Sequence, residues 1–591
     1  MAQRNKYDID EELETPFNFK HLRRSYVYIR RQLKKMLFAL ALSCVSSIVA
    51  LTVPQMVERA IDVCVPNKDY SGLFILAALT AAAIVGSIML AKARAHIMVK
   101  VGQDIVFDIR SDLFAHMQQL PFTYYDSRPH GKILVRVVQY VNTVSNMLSN
   151  GIIDFILEIF NLVFIVIFML FTSPRLALVV LAGLPVLFAV LFSIKPAQRR
   201  AWQAVSNKNS NLNAYTAESI NGMRITQVFT REKANAEIFR RLASNSRRAW
   251  IKASMISNLV WVSVDNISQV ITAFLYVVGV LWTYPAVSFG VILAMGNYSW
   301  RFWQPINRLS QIYNDFLTAI AYLERIFDTM DEPVVIGDAP DAYELPQIKG
   351  DVTFENVTFG YDGDNYVLKD LSFSIPAGKS VALVGPTGAG KTTVVNLISR
   401  FYDINGGRIL IDGHDISKVT LHSLRSQMGI MLQDSFIFSG TVAENIKYGR
   451  LDASDGQIAA AAGVVHADEF IGQMGEKYGT EIKERGSRLS QGQKQLLSFA
   501  RTIISDPKIL ILDEATSSID TKTELYVQEG INHLLSGRTS FIIAHRLSTI
   551  RHCDRIMYIK DQGVSEYGTH DELMALNGDY CQLYRSQLQE L

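Results

Sequence analysis

The sequence predicts two unlike domains in one chain. The first is a membrane α-helical domain of six spans with long extensions outside the bilayer, and the second is an α/β domain built round a glycine-rich strand–loop–helix turn. Three observations predict this. A chain of 591 residues exceeds the size of one domain. Up to about residue 325 it carries long apolar runs, whereas the remainder is a globular mixture with frequent Gly and Asp. Finally, Gly385, Pro386, Thr387, Gly388, Ala389, Gly390, Lys391 and Thr392 match the pattern G-x-x-x-x-G-K-[ST], whose glycines let backbone N–H groups close around phosphates.

Composition narrows the classes further. A net charge of +2 is close to balance, and nothing points to nucleic acid as a partner. Cys44, Cys64, Cys553 and Cys581 show no C-x-x-C or Cys/His ligand spacing and read as free thiols in a reducing or membrane setting. The first 35 residues or so are polar and charged, unlike a cleavable signal peptide. The expected domains are a cytoplasmic N-terminal segment 1–35, a six-helix membrane domain 36–325, a polar, Pro-interrupted linker 326–350 and a nucleotide-binding domain 351–591.

A helix needs about 20 mostly apolar residues to cross the hydrocarbon core. Six stretches qualify: 36–60, 73–92, 152–171, 175–194, 259–283 and 287–304. Short turns at 64–69, 172–174 and 284–286 join them in pairs, and the other two connections each run about 60 residues. Those connections carry Arg94, Lys100, Arg110, Arg128, Lys132 and Arg136, then Arg199, Arg200, Lys208, Arg224, Arg231 and Lys233. Arg23, Arg24, Arg30, Arg31, Lys34 and Lys35 precede the first span. Excess Lys and Arg marks the cytoplasmic side, so all three regions, and the C-terminal domain with them, are expected there. The long connections keep helical periodicity and are expected to extend the membrane helices into the cytoplasm.

Ionisable groups within a bilayer are costly and usually face a cavity or a partner. Asp154, Glu158 and Asp265 fit that description. Asp154 and Glu158 are four apart and share a helix face. They point to water, a proton or a cation nearby, unless Asp154 simply reaches the inner surface. Trp261, Trp282, Tyr298, Trp300, Phe302 and Trp303 surround the last two spans. They read first as interface or packing residues, and otherwise as an aromatic wall for apolar or cationic compounds.

In the second half, alternating apolar residues from Val352 to Phe359 begin a strand. Residues Val381 to Val384 form a buried strand leading into Gly385, and a helix continues from Thr392, so loop N–H groups and the positive helix end can hold phosphates. Lys391 supplies charge to the β- and γ-phosphates, and the Thr392 hydroxyl is placed for Mg²⁺. Residues Ile509 to Leu512, apolar throughout, read as a central parallel strand covered on both faces. At its end Asp513 can hold Mg²⁺, and Glu514 is the candidate general base for the water that attacks the γ-phosphate.

Leu489, Ser490, Gln491, Gly492 and Gln493 stand about a hundred residues after the phosphate loop and precede the Asp513–Glu514 strand. Phosphate loop, L-S-x-G-Q, then an apolar strand ending in Asp-Glu is the order found in ATP-binding-cassette (ABC) proteins. The chain resembles that family over its whole length, with a membrane domain of exporter type. The resemblance implies ATP and Mg²⁺ as cofactors, with nucleotide contacts from Gly385 through Thr393 and Tyr361 stacking on adenine. It implies that Gln433 senses Mg²⁺, that His545 contacts the γ-phosphate, and that Ser517 to Asp520 communicate across a dimer. Residues Leu120 to Asp126 with Gly131 and Arg136, and Glu218 to Gly222 with Phe229, Glu232 and Phe239, resemble the two intracellular stretches. Coupling helices are then expected near 137–143 and 214–222, the first having Tyr140 and Asn142 where Asp is common.

In this family two cassettes sandwich two ATP molecules, and Ser490, Gly492 and Gln493 of one chain complete the site of the other. The usual signature is Leu-Ser-Gly-Gly-Gln; here Gln491 replaces the first glycine, a residue used where backbone approaches a ligand closely or takes φ > 0. An intact hydrolytic set (Lys391, Gln433, Asp513, Glu514, His545) beside an altered signature resembles the consensus-site subunit of heterodimeric bacterial multidrug exporters. The resemblance implies an integral membrane protein of a bacterial cell membrane, surrounded by lipid, that exports small amphiphilic or hydrophobic compounds. Its partner would be a second half-transporter with a degenerate catalytic site; the alternative is a second copy of this chain. A dedicated lipid or peptide exporter and an exporter-fold siderophore importer share these motifs. A nucleotide-gated channel or regulatory subunit would need neither Glu514 nor His545.

Overall fold

Apolar runs with helix-forming extensions fold as helices much longer than a bilayer requires. The computed structural model describes residues 19–126, 128, 130–283, 286–361, 365–431, 435–483, 486–513, 521–544 and 547–589. The helices of the first half are α1 (Phe19–Arg59), α2 (Tyr70–Met117), the short α3 (Phe122–Asp126), α4 (Ile133–Thr172), α5 (Pro174–Asn221), α6 (Glu232–Thr283) and α7 (Phe289–Met330). The 48 residues of α2 rise roughly 72 Å at about 1.5 Å each, against a hydrocarbon core of about 30 Å. Among the described residues five helices, α1, α2, α4, α5 and α6, are long and apolar enough to cross a membrane. The sixth expected span, 287–304, opens α7, which carries Arg301 inside it and is not among the five.

The helical unit ends at Glu332. α7 runs to Met330, past the expected start of the linker at 326, because its last turns stay packed: Phe327 and Thr329 are buried. Three helix starts have a local sequence reason. The Asp69 carboxylate caps α2 by accepting from the Gly72 N–H at 2.9 Å, and Pro174 opens α5, where a missing N–H costs nothing. Asp62 accepts from the Gly290 N–H at 2.8 Å and from the Ser288 hydroxyl, which ties the start of α7 to the chain following α1.

Antiparallel α1 and α2 are joined by a ladder. Tyr28 donates to Asp112 at 3.0 Å, Arg31 to Asp108 at 3.0 Å and Lys35 to Asp104 at 2.9 Å. Partners three or four apart on each helix share one face. Higher on α1, Pro54 has no N–H to offer the carbonyl of Ala50, and its ring disturbs the turn before it. Side chains of α7 take over: Arg301 donates to the Ala50 carbonyl at 3.1 Å and Tyr298 to the Leu51 carbonyl at 2.9 Å.

The second unit takes Pro333 onward together with Gln119–Arg128. Within it the ring of Phe122 on α3 meets Phe401 at 4.6 Å between centroids, and Tyr402 donates to Asp126 at 3.0 Å. The first coupling helix was expected near 137–143, but that stretch belongs to the helical unit. There Arg110 donates to Asn142 at 3.1 Å, and Tyr140 stacks on Tyr322 at 4.2 Å. The Pro121 break makes α3 a separate short helix, and its aromatic side chains are packed in the second unit. The second expected stretch, 214–222, closes α5 with Ile220 exposed, and exposed Met223, Ile225, Val228 and Phe229 follow it.

The second unit is α/β. β1 (Val352–Phe359), β2 (Leu368–Ile375), β4 (Gly406–Ile411) and β5 (His414–Asp415) make an antiparallel sheet in the order β2-β1-β4-β5. The main sheet contains β3 (Ser380–Val384), β6 (Met428–Met431), β9 (Ile509–Asp513), β10 (Thr539–Ile543), β11 (Arg555–Lys560) and β12 (Gly563–Gly568). Its order is β12-β11-β3-β10-β9-β6, parallel except for β12, and a small pair β7 (Gly440–Thr441) and β8 (Glu481–Ile482) stands apart. β3 and β10 are buried along their whole length, as central parallel strands are.

Asp554 fastens β11 to β3, accepting from the Ser380 N–H at 2.9 Å, the Ser380 hydroxyl at 3.0 Å and the Lys379 ammonium at 2.9 Å. Burial alone would push this carboxyl up, but those donors outweigh it and hold its pKa below the ordinary value. Its contribution to stability is therefore complete above the unfolded pKa of about 3.9 and disappears as pH falls through the lower folded value. Asp554→Asn is expected to lower the unfolding midpoint of the full chain at neutral pH, with the gap to wild type closing below about pH 4. Melting curves at stepped pH check this; a gap that widens in acid contradicts it.

Candidate functional site

The site begins where β3 runs out. Gly385 has φ +142°, and a Cβ there would lie 2.2 Å from the Ile559 carbonyl of β11. Gly388 (φ +83°) and Gly390 (φ +104°) also take left-handed backbone, but no atom lies within 4 Å of a Cβ on Gly388. Gly388→Ala should then cost only the conformational strain, roughly 1–2 kcal/mol. Gly385→Ala must move β11 or the loop itself, and is expected to abolish the ATP-dependent rise in melting temperature that Gly388→Ala retains.

Lys391 opens the helix α8 (Lys391–Ile398), and its ammonium donates to the carbonyls of Gly385 at 2.8 Å and Pro386 at 2.9 Å. Burial pushes its pKa down, and the charge of Asp513 opposes that, so the two groups act on each other across the end of the sheet. Thr392 is exposed on the first turn, whereas Thr393 is buried with its hydroxyl 3.1 Å from the Tyr361 hydroxyl. The Tyr361 ring rests on Phe359 and Tyr402 at 4.9 and 5.1 Å and remains 46% exposed, enough for a flat ring to stack on it.

Parallel pairing brings the other chemistry to the same edge. Ile543 of β10 pairs with both Leu383 of β3 and Asp513 of β9, and Leu512 pairs with Met431 of β6. Ligands of open α/β sheets bind outside these carboxyl ends. Gln433, Glu514 and His545 follow β6, β9 and β10 in sequence but lie outside the described residues, as do Ser517 and Asp520. Thr392 and Asp513 offer hard oxygen donors of the kind Mg²⁺ takes when phosphates complete its shell.

The signature residues start a separate helix, α9 (Gln491–Ser505). The Ser490 hydroxyl accepts from the Gln493 N–H at 3.2 Å, and the Gln493 amide oxygen accepts from the Ser490 N–H at 3.0 Å, a reciprocal cap. Gln491 occupies the first helical position, exposed and without positive φ, so the fold of the chain does not call for glycine there.

The helical unit holds a cavity of about 530 Å³ between α1, α4 and α7. Glu158 lines it; Asp154 instead pairs with Arg94, with Arg308 at 3.8 Å. Asp265 is elsewhere, accepting from Gln269 one turn along α6 at 2.8 Å. The described aromatic candidates do not line this cavity. Tyr298, Phe302 and Trp303 are core residues, Trp282 and Trp300 are exposed, and the Trp261 side chain lies outside the described residues. The sequence reading missed Arg301 and Arg308, which line the cavity. An arginine inside the apolar stretch 287–304 was the available signal.

A helical membrane unit continuous with a strand–phosphate loop–helix domain defines an ATP-hydrolysing membrane transporter. The chain belongs to the ABC transporter family, with an exporter-type membrane domain: residues 36–305 match the ABC transporter transmembrane region and 368–517 the ABC transporter family model. It is 40% identical to the uncharacterized ABC transporter ATP-binding protein YknV of Bacillus subtilis, over 99% of this chain and 98% of that one. It is 36% identical to the fatty acid ABC transporter ATP-binding/permease protein of Mycobacterium tuberculosis, over 88% of this chain and 82% of the relative. Its fold matches a bacterial Atm1-family ABC exporter with ATP bound, at a TM-score of 0.79 and 27% identity, covering 95% and 98% of the two chains. Exporters of this family work as dimers, so the chain is half of a functional unit.

Proposed function

We propose that this chain uses ATP to export small amphiphilic compounds by alternating access, as one half of a heterodimer. The observation that carries the ATP-driven part is the meeting of Lys391, Asp513 and the ends of β6, β9 and β10 at one sheet edge. In this reading Tyr361 stacks on adenine, and the loop from Gly385 to Thr393 with Lys391 holds the phosphates. Thr392, Asp513 and Gln433 would hold Mg²⁺, which would supply charge neutralisation for the phosphates; Glu514 orients and deprotonates the attacking water, and His545 contacts the γ-phosphate. Ser490, Gly492 and Gln493 complete the site of the partner. The N-terminus and the nucleotide-binding domain lie in the cytoplasm, where ATP is.

The exposed apolar residues from Ile220 to Phe229 support a partner surface on the second long connection. Gln491 supports an unlike partner: its side chain stands where a glycine signature leaves room for the opposite nucleotide. Purifying the tagged chain from its own host and measuring native mass and subunit identity tests this. A second, related chain in equal amount supports the heterodimer, and a self-paired dimer with full ATPase activity overturns it. ATP-dependent loss of a fluorescent amphiphile from cells expressing the chain tests direction; ATP-dependent uptake overturns export. A dedicated lipid exporter is the second reading, favoured by likeness to the fatty acid transporter.

A further inference from the structure

The cavity of the helical unit is lined by both charged and apolar side chains. Glu158, Asn161 and Ile165 fall on one face of α4, and Arg301, Gln304, Arg308 and Gln311 fall on one face of α7 at helical spacing. Arg301 and Gln304 lie within the apolar stretch 287–304, and Arg308 and Gln311 lie beyond it, so the two arginines straddle the boundary of that stretch. Leu51 and Ile165 form the apolar part of the wall.

The charges do not balance. Among the described residues around the cavity, the carboxylates of Asp154 and Glu158 stand against three guanidiniums, those of Arg94, Arg301 and Arg308. Arg308 lies 3.8 Å from Asp154 and donates to the Gln311 amide oxygen at 3.3 Å, with its side chain 55% exposed. A guanidinium has five N–H donors. One nitrogen of Arg301 is held by the Ala50 carbonyl that Pro54 leaves open, which fixes the group in the wall before any ligand arrives. An unbalanced cation at this depth is costly and marks a site for an opposite charge. Forked guanidiniums suit carboxylate and phosphate oxygens.

We propose that the cavity receives the anionic head of an amphiphile, with Arg301 and Arg308 holding a carboxylate or phosphate and the tail lying against Leu51 and Ile165. This rests on the amphiphile-export reading and names its substrate charge, contrary to the cationic ligands that Glu158 and the aromatic residues first suggested. A volume of about 530 Å³ suits a head and the first part of a chain.

The test uses the full-length chain in its native assembly, in phosphatidylcholine nanodiscs. Half-effective concentrations for stimulating ATP turnover are compared for dodecanoate, dodecyl phosphate and dodecyltrimethylammonium. The anions are expected to act at concentrations at least about tenfold below the cation, the scale of one charge-assisted contact. Arg308→Gln, at a half-exposed position that tolerates change, should bring that ratio close to one. Arg301→Lys, which keeps the charge and loses the fork, should reduce it less. The ranking of dodecanoate against dodecyl phosphate separates carboxylate from phosphate heads. A cation that acts as well as the anions, or a ratio unchanged by Arg308→Gln, overturns the proposal while amphiphile export stands. If none of the three alters turnover and none moves in ATP-loaded vesicles, the export reading falls with it.

Discussion

Glu514→Gln is expected to slow ATP turnover about 10²- to 10⁴-fold while leaving ATP binding intact, the range typical of removing a general base. The substitution keeps size and hydrogen bonding but cannot take a proton from water. β9 ends at Asp513 at the carboxyl end of the sheet, between β10 and β6, and Glu514 is the next residue in the sequence. Single-turnover hydrolysis measured beside equilibrium ATP binding separates the two effects. Retained turnover would remove Glu514 from the mechanism, and lost binding would recast it as a structural residue.

Lys391→Ala should fail earlier in the cycle. Removing one partner of a partly buried charge pair costs about 2–5 kcal/mol, so ATP affinity should fall at least about thirtyfold. The same ammonium bridges the Gly385 and Pro386 carbonyls, so its loss also loosens the loop. The melting temperature without nucleotide should change little, whereas the rise produced by saturating ATP should vanish. A variant that still gains stability from ATP at wild-type concentrations would show that the loop N–H groups suffice.

The motifs of the second unit were legible because each is local: a loop of glycines, a cap, a strand and the residue ending it. Their convergence rests on parallel pairing, which strand order in the sequence does not reveal. The membrane spans were legible from apolar length, but the function of their polar residues was not. Asp154 looked like a cavity acid until Arg94, sixty positions away, was seen to hold it. Arg301 escaped notice because its partner, a backbone carbonyl freed by Pro54, belongs to another helix. Pattern alone did not show that Phe122 and Asp126 make long-range contacts with Phe401 and Tyr402, which group α3 with the second unit. Gln433, Glu514 and His545 rest on sequence alone.

That last contact has a consequence for biogenesis. Asp126 leaves the ribosome 276 residues ahead of Tyr402, which at about 5–20 residues per second is a delay of roughly 15–55 s. Through that interval Phe122 has no ring to rest on, and a growing chain must shield it while the later domain is still being made. A cassette expressed from Pro333 onward has the converse problem, with Phe401 and Tyr402 uncovered where α3 would meet them. Stickiness of such fragments would then report a missing strip from early in the chain, not a fault in the cassette's own core.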